Sequence, residues 1–563
     1  MTEIPGKIPR RTAGEWNLRS SMPYENPFVD VMVEGKFVSP SGATFTVPGF
    51  YDGEATWRLR FNPGEAGEWR YEVSSCPPDH DLTLQGSFTV TRHEGRGFLQ
   101  ATPDRGWGFQ YESGEPVFLL GDTVYNLFGM AHCGADVSAF LKRRARQGFN
   151  IIRVRLPVSS FHFPGAYSVW QTRSTWPWGG CEQYPLFDRF NLDYFGTVDR
   201  IVRVIEGLGL GLEMIMEAWG FEFPFNSRTL FVPEWEELWL RYLIARYDAF
   251  NCVHFWTLMN EYECYPDGSW NRSRHQVEDR WAMRMARWVK RVAQHGHNVA
   301  VHNGPRLPPF AERFAADPEA IDAIMYQEWG SRDAEDGWLA AGIEDIVQQA
   351  LDSWQGSAVF AEYGYERNPD LAISFPYFEY CDAGHTRRGA WRGAFCALGV
   401  INGFENTWAP YMILDQDQPG LEYLLHMHRF FTEVVPFHQL RCAPKVLGGD
   451  GYAFGCRPLV LATPERDVVA VYLPAGGAAD LVLPQDVTYC ARWYDPRTGE
   501  LCPAEPATMG ENRLYFVAPG GQDQEGHPWD WVLLLSAKGE AGSPAAPDGG
   551  GLGSKDRRTA APG

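Results

Sequence analysis

The chain has 563 residues, 44% hydrophobic and 21% charged, with 22 Trp, 24 Tyr and 35 Phe, a composition that excludes a disordered or fibrous protein and is too long for one ordinary core. Fifty basic against 71 acidic side chains give a formal charge of -21, which repels a phosphate backbone and argues against nucleic acid or an anionic membrane as partner. Eleven cysteines with no C-x-x-C pair read as scattered reduced thiols rather than a disulfide framework or a zinc cage.

The opening MTEIPGKIPRRTAGEW lacks the apolar stretch of a signal peptide, and no run approaches the roughly 18 to 20 apolar residues that span a bilayer. The expectation is a cytoplasmic protein. From residue 13 to about 93, short alternating runs (FVDVMVEG, ATFTVPGFYDG, TWRLRFNP, GEWRYEVSS and GSFTVTR) are separated by Gly, Pro and Asn-Pro turns at hairpin spacing, which predicts an immunoglobulin-like β-sandwich over residues 1–100.

From Pro116 the pattern changes to short buried strands alternating with amphipathic helices, the mark of βα units and a parallel sheet. Strands are predicted at 116–123, 150–157, 211–220, 252–261, 298–304, 323–330, 358–364 and 401–408. Helices between them include DVSAFLKRRARQGF, YFGTVDRIVRVIEGLG, RWAMRMARWVKRVAQHG and RRGAWRGAFCALG, several closed by the Gly expected just past a helix C-terminus. Eight consecutive units predict an α/β fold, a closed (β/α)8 TIM barrel over residues 101–437. A second strand-rich stretch, with DVVAVYLPAGG, LVLPQDVTYCARWYDP and WDWVLLLSA, predicts a C-terminal β-sandwich at 438–537. The apolar-poor remainder, 538–563, reads as a disordered tail.

In such barrels the active site forms at the carboxyl ends of the strands, so polar residues that end apolar strands are informative. They are Asp122, Arg153 or Arg155, Glu217, Trp219, Asn260, Glu261, His302, Asn303, Tyr326, Glu328, Glu362, Asn406 and Trp408, a carboxylate-rich pocket with aromatic walls. Two carboxyls flanking a sugar bond can cleave it, one protonating the leaving oxygen and the other attacking or activating water. Glu261 ends the fourth strand and Glu362 the seventh, on opposite sides of a barrel, so this pair is the best acid and nucleophile candidate. A raised pKa for the acid would come from burial and a second carboxylate nearby. Ionisation of the nucleophile would come from an Arg and a Tyr hydroxyl, for which Arg153 and Tyr326 or Tyr363 are candidates.

The segments LMNE at strand four and FAEYG at strand seven resemble those of the clan A glycoside hydrolases, retaining enzymes built on a (β/α)8 barrel, over residues 116 to about 435. The resemblance implies Glu261 as acid/base, Glu362 as nucleophile and Asn260 as the holder of the sugar 2-hydroxyl. It matches Arg153 to the clan's strand-two arginine, with Arg155 on the same side leaving that assignment open. It fits His302 and Tyr326 to the polar positions of strands five and six, and Trp408 to the strand-eight sugar platform. The sandwich sequence upstream also resembles a module common before cellulase-like barrels.

Glu328, Glu366, Glu217 and Glu263 stand as alternatives for the nucleophile or for contacts to sugar hydroxyls. The stretch after strand two, far longer than the usual two to six residues, carries Trp170, Trp176 and Trp178, which either stack on distant sugar rings or anchor the loop. HGH (295–297) and HMH (426–428) read as surface or packing histidines, and no metalloprotease, esterase or nucleotide motif occurs. The reading is therefore a retaining hydrolase of β-linked oligosaccharides or glycosides that needs no cofactor or metal and takes a small carbohydrate as its partner. An inactive carbohydrate-binding barrel is the rival.

Overall fold

The computed structural model describes residues 5–538 except 103–107, 158–174, 221, 269–275, 305–308, 330–342, 352, 369–380, 398, 409–414, 450, 451, 453, 454, 485, 510–512 and 525. The expected C-terminal tail lies outside these residues, apart from its first, Lys538.

Eight parallel strands close on themselves: Leu119–Thr123, Ile151–Arg155, Gly211–Trp219, Val253–Asn260, Asn298–His302, Ala323–Gln327, Ser357–Glu362 and Gly399–Phe404, the last pairing with the first. Each falls where a strand was predicted. Burial on both faces explains their near-continuous apolar sequences, because one face fills the cylinder and the other meets the helices. Ile151, Phe255, Ala300, Ala323, Met325, Val359, Ala361 and Ile401 form the inner cluster, whereas Ile152, Val154, Ile324, Tyr326 and Phe360 belong to the outer layer.

The helices begin and end on local chemistry. Asp136 caps Val137–Arg146 by accepting from the Ala139 amide, and Asn191 caps Leu192–Gly207 by accepting from that of Tyr194, each satisfying an orphan donor worth ~1 kcal/mol. Gly148 (φ 89°) and Gly209 (φ 70°) follow these two helices in the left-handed conformation that other residues resist.

Below the barrel, the short strands Leu99–Ala101, Phe109–Tyr111 and Pro116–Val117 form an antiparallel sheet that sends Leu99, Phe109 and Tyr111 into the inner cluster. Asn298 holds this floor by donating to the Leu99 carbonyl at 3.0 Å.

The N-terminal region is a sandwich of a five-stranded and a three-stranded sheet around Trp16, Phe37, Trp57, Leu59, Trp69 and Phe88. It is tied to the barrel by Arg60, whose Nη2 lies 2.5 Å from Asp199 and whose Nη1 donates to the Arg246 carbonyl. At the other end, sheets of six and three strands enclose a separate core that includes Val471, Leu481, Trp493, Phe516 and Leu533. These clasp the helix Ala383–Ala397, which follows strand seven: Arg387 pairs with fully buried Asp530 at 2.9 Å, and Trp391 stacks on Tyr472 with centroids 5.8 Å apart.

Candidate active site

Arg153 organises the mouth of the barrel. It shares the inward face of strand two with Ile151 and is fully buried. Its Nη1 donates to Glu362 Oε2 at 3.2 Å and to the Ala361 carbonyl at 3.1 Å, its Nη2 to Asn260 Oδ1 at 2.5 Å, and its Nε faces Glu213 at 3.4 Å. A buried guanidinium without acceptors would cost several kcal/mol, so this cation fixes strands three, four and seven around itself. Arg155 faces the same way, stacked over the rings of Tyr125 (4.7 Å) and Trp219 (4.3 Å) and paired with Glu222 at 3.1 Å. Of the two arginines left open by the sequence, Arg153 meets the Glu362 carboxylate and Arg155 braces Trp219.

Glu261 sits just past strand four with φ 51° and ψ 58°, a left-handed conformation that costs a residue with a Cβ roughly 1–2 kcal/mol. Its main-chain N–H donates to His302 Nδ1 at 3.2 Å. That bond leaves the ring proton on Nε2, which lies 3.6 Å from Glu362 Oε2. Burial, helped by the nearby Arg153 charge, holds His302 well below its ordinary pKa, so the ring is neutral.

Glu362 is reached through a break in alternation. Val359 and Ala361 face inward, which would turn Glu362 outward, but the register shifts between Tyr326 and Gln327 and pairs Gln327 with Glu362. Such a bulge re-aims a side chain. The carboxylate then accepts from the Tyr125 hydroxyl at 3.2 Å on Oε2, from Gln327 Nε2 at 2.9 Å on Oε1, and from the Tyr365 hydroxyl.

Burial pushes both carboxyls up. Glu261 is driven well above the ordinary range by that burial and by the charges of Glu362 and Glu263. For Glu362, burial is opposed by the Arg153 charge and by the hydroxyls of Tyr365 and Tyr125. These surroundings favour the proton on Glu261 over Glu362.

Trp219, 6% exposed, stands edge-on to Tyr125 with centroids 5.3 Å apart. Asn260 accepts on Oδ1, while its buried Nδ2 has no hydrogen-bond partner among the described residues. The backbone of Trp408 ends the short helix Glu405–Trp408, and its side chain lies outside the described residues, as does Trp170.

Two predicted pocket residues point elsewhere. Asp122 is on the outward face of strand one, fully buried, pairing with Arg144 at 2.7 Å and accepting from Thr407 at 3.1 Å. It belongs to the link between that strand, its helix and Asp417 beyond strand eight. Tyr326 packs outward against Phe310 and Phe360, both at 6.0 Å, because inward Ala323 and Met325 set the parity of strand six. Gln327 occupies the inward position instead. Nor does Tyr363 reach Glu362; its hydroxyl donates outward to Asn402 at 2.5 Å.

Three of the alternative acids are engaged. Glu217 pairs with Arg228 at 2.7 Å, and burial pushes it up to about 8. Glu263 pairs with Arg313 at 2.6 Å and accepts from the Gly304 amide. Glu366, raised to about 7 by burial, accepts from Thr386 and from the amide of Gly420. Trp178 is 1% exposed, packed 4.5 Å from Trp239, and Trp176 stacks on Phe223, so both anchor the start of their hairpin. His295 and His297 are buried on Asp248. Among the described residues no group of three or more His, Cys, Asp or Glu converges as a metal site.

Sequence reasoning missed Tyr125, Gln327 and Tyr365. Alternation along strand six was enough to find Gln327, whereas Tyr125 lies two residues past its strand and Tyr365 owes its direction to the turn at Gly364 (φ 111°).

Comparison with known proteins agrees with this architecture. A family profile described as apiosidase-like, catalytic domain, matches residues 104–423, more than half of the chain. A domain family of unknown function matches residues 12–76, and a family described as a candidate collagen-binding domain of a collagenase matches residues 457–536. No curated protein matches the sequence. Among solved structures, a candidate glycoside hydrolase from Bacteroides vulgatus ATCC 8482 is similar at 17% identity and TM-score 0.69, covering 94% of this chain and 99% of that one. A glycoside hydrolase family 5 protein from the same organism is similar at 16% identity and TM-score 0.57, over 78% and 94%. Another glycoside hydrolase gives 16% and 0.55, over 79% and 97%. At such identities these likenesses establish a glycoside-hydrolase-like barrel fold and leave the chemistry to the site.

Proposed function

The chain belongs to the family of apiosidase-like catalytic domains, and from that premise we propose that it is a retaining glycoside hydrolase acting on a β-linked glycoside or short oligosaccharide. In this reading the Glu362 carboxylate attacks the anomeric carbon while Glu261 gives its proton to the departing oxygen. Water then transfers a proton to the Glu261 carboxylate and attacks the same carbon, and the ester bond electrons return to Glu362. The sugar configuration is retained.

The observation that carries the reading is the unequal environment of two neighbouring buried carboxyls: burial and the charges of Glu362 and Glu263 drive Glu261 well above the ordinary range, whereas at Glu362 burial is opposed by Arg153 at 3.2 Å and by tyrosine hydroxyls. Retention needs carboxyls about 5 to 5.5 Å apart, inversion about 6.5 to 9.5 Å. The buried Asn260 Nδ2, unpartnered among the described residues, is the donor this reading assigns to a sugar hydroxyl, with Trp219 as a stacking surface.

The test is a panel of aryl β-glycosides that includes a β-apioside, an arm motivated by the family's name, with the anomeric proton of the first product followed by NMR. Glu362→Gln should abolish turnover, and Glu261→Ala should recover with azide as a glycosyl azide of retained configuration. Binding without turnover by the wild type across the panel would identify a carbohydrate-binding barrel instead.

A further inference from the structure

Glu261, the acid of the proposed reaction, sits in a left-handed backbone conformation (φ 51°, ψ 58°) that a residue with a Cβ keeps only when its surroundings over-determine it. It opens the tight turn Tyr262–Cys264, in which the Cys264 amide donates to the Glu261 carbonyl at 2.9 Å. On the strand side the fixed point is His302, which accepts from the Glu261 amide. On the turn side it is a single cation.

Arg313 ends the short helix Phe310–Arg313 beyond strand five and is 3% exposed. Its Nη1 donates to Glu263 Oε1 at 2.6 Å, its Nε donates to Asp279 Oδ1 at 3.0 Å, and its guanidinium lies over the Tyr262 ring, 4.7 Å from the centroid. The Tyr262 hydroxyl donates to the same Asp279 oxygen at 2.9 Å, and Glu263 Oε2 accepts from the Gly304 amide at 2.7 Å. The two residues that follow Glu261 are thereby tied to Asp279 on the helix Val277–Val292 and to the segment after strand five. Glu362 takes its donors from a different set, Arg153, Tyr125 and Gln327, so the clamp acts on the acid rather than on the nucleophile.

We propose that Arg313 is a positioning residue for the acid/base: it holds Tyr262 and Glu263 so that Glu261 keeps its left-handed backbone and presents its carboxyl to the departing oxygen. This rests on the reading of Glu261 as acid/base above. In the first step the bond from the anomeric carbon to the departing oxygen breaks, its electrons go to that oxygen, the oxygen takes the Glu261 proton, and a Glu362 oxygen bonds the carbon. General acid catalysis contributes about 10²- to 10⁴-fold and depends on placement within hydrogen-bond reach, so a loosened turn costs rate where the proton is needed and little where it is not.

The experiment compares kcat/KM, which reports the first step, on phenyl and 2,4-dinitrophenyl β-glycosides of the panel sugar that the wild type turns over; phenolate needs a proton to leave and dinitrophenolate does not. Arg313→Lys keeps the buried charge but lacks the planar fork that reaches both acids while covering Tyr262. It should lose about 10-fold on the phenyl glycoside and less than about threefold on the dinitrophenyl one. Arg313→Met should deepen the phenyl loss to about 100-fold. Equal losses on the two glycosides, or a phenyl rate unchanged in Arg313→Lys, would overturn the proposal. A wild type without turnover, or a Glu261→Ala protein whose phenyl rate matches wild type, would instead remove the reading beneath it.

Discussion

The Tyr125 hydroxyl lies 3.2 Å from Glu362 Oε2, 3.2 Å from the Tyr365 hydroxyl and 3.3 Å from Asn260 Oδ1, yet it has one proton to give. Tyr125→Phe removes that proton and keeps the ring, whose face still meets Arg155 and whose edge still meets Trp219, so no cavity forms. Hydrogen bonds to charged acceptors are worth roughly 1.5–3 kcal/mol, and these are long for O–H···O contacts, which usually fall near 2.7–2.8 Å. A loss of about 1–1.5 kcal/mol, or about 5- to 13-fold in kcat/KM, is therefore expected. The single change is softened because Tyr365 also donates to Glu362. Tyr125→Phe combined with Tyr365→Phe should exceed the sum of the single losses by about 0.5–1 kcal/mol. The direction with pH follows from the charge: both hydroxyls favour the Glu362 carboxylate, so removing them raises its pKa and moves the acidic limb of kcat/KM to higher pH. The assay is kcat/KM on one aryl glycoside across the acidic range for all four proteins. An acidic limb that stays put in the double variant would refute the assignment of these hydroxyls to Glu362.

Burial pushes the Asp199 carboxyl up, but Arg246 and Arg60 pull it down from 3.8 to about 2, so the folded state gains about 2 kcal/mol above the unfolded pKa and loses it as pH falls through about 2. Arg60→Met should thus lower stability to urea at neutral pH, with the gap to wild type closing between about pH 4 and pH 2. Asp122→Asn is expected to lower Tm by weakening a buried ion pair, at a cost of about 2–4 kcal/mol, with KM unchanged; a raised KM at unchanged Tm would return Asp122 to the pocket. Tyr326→Phe should leave kcat/KM within about twofold of wild type, because the ring faces the helices. Trp219→Ala should raise KM by about 10-fold through loss of an aromatic platform, which glycoside titrations followed by tryptophan fluorescence would measure.

The barrel was legible because both faces of its strands are buried and its helices carry amphipathic stripes and caps, signals that survive without tertiary information. The acids Glu261 and Glu362 were legible as abrupt polar ends to apolar strands. The direction of individual side chains was less so. Strict alternation from Val359 and Ala361 turns Glu362 away from the pocket, and only the register shift opposite Gln327 restores it, a bulge that no residue type in FAEYG announces. Asp122 and Tyr326 failed for the converse reason: each ends a strand with a polar group but on its outer face, where Arg144 and Phe310 were invisible as partners. Tyr125 and Tyr365 come from turns, whose geometry depends on neighbours distant in sequence.

The sheet of Leu99, Phe109 and Tyr111 beneath the barrel gives the cylinder one filled end, and this bears on the route by which molecules pass. In the proposed retaining reaction, a leaving group released above Glu362 departs through the mouth, the opening that also admits water. On that reading any small alcohol dissolved at the mouth competes with water for the sugar ester. Added methanol should accordingly divert part of the product to a methyl glycoside, in a proportion set by its concentration at the opening rather than by any second entrance from below.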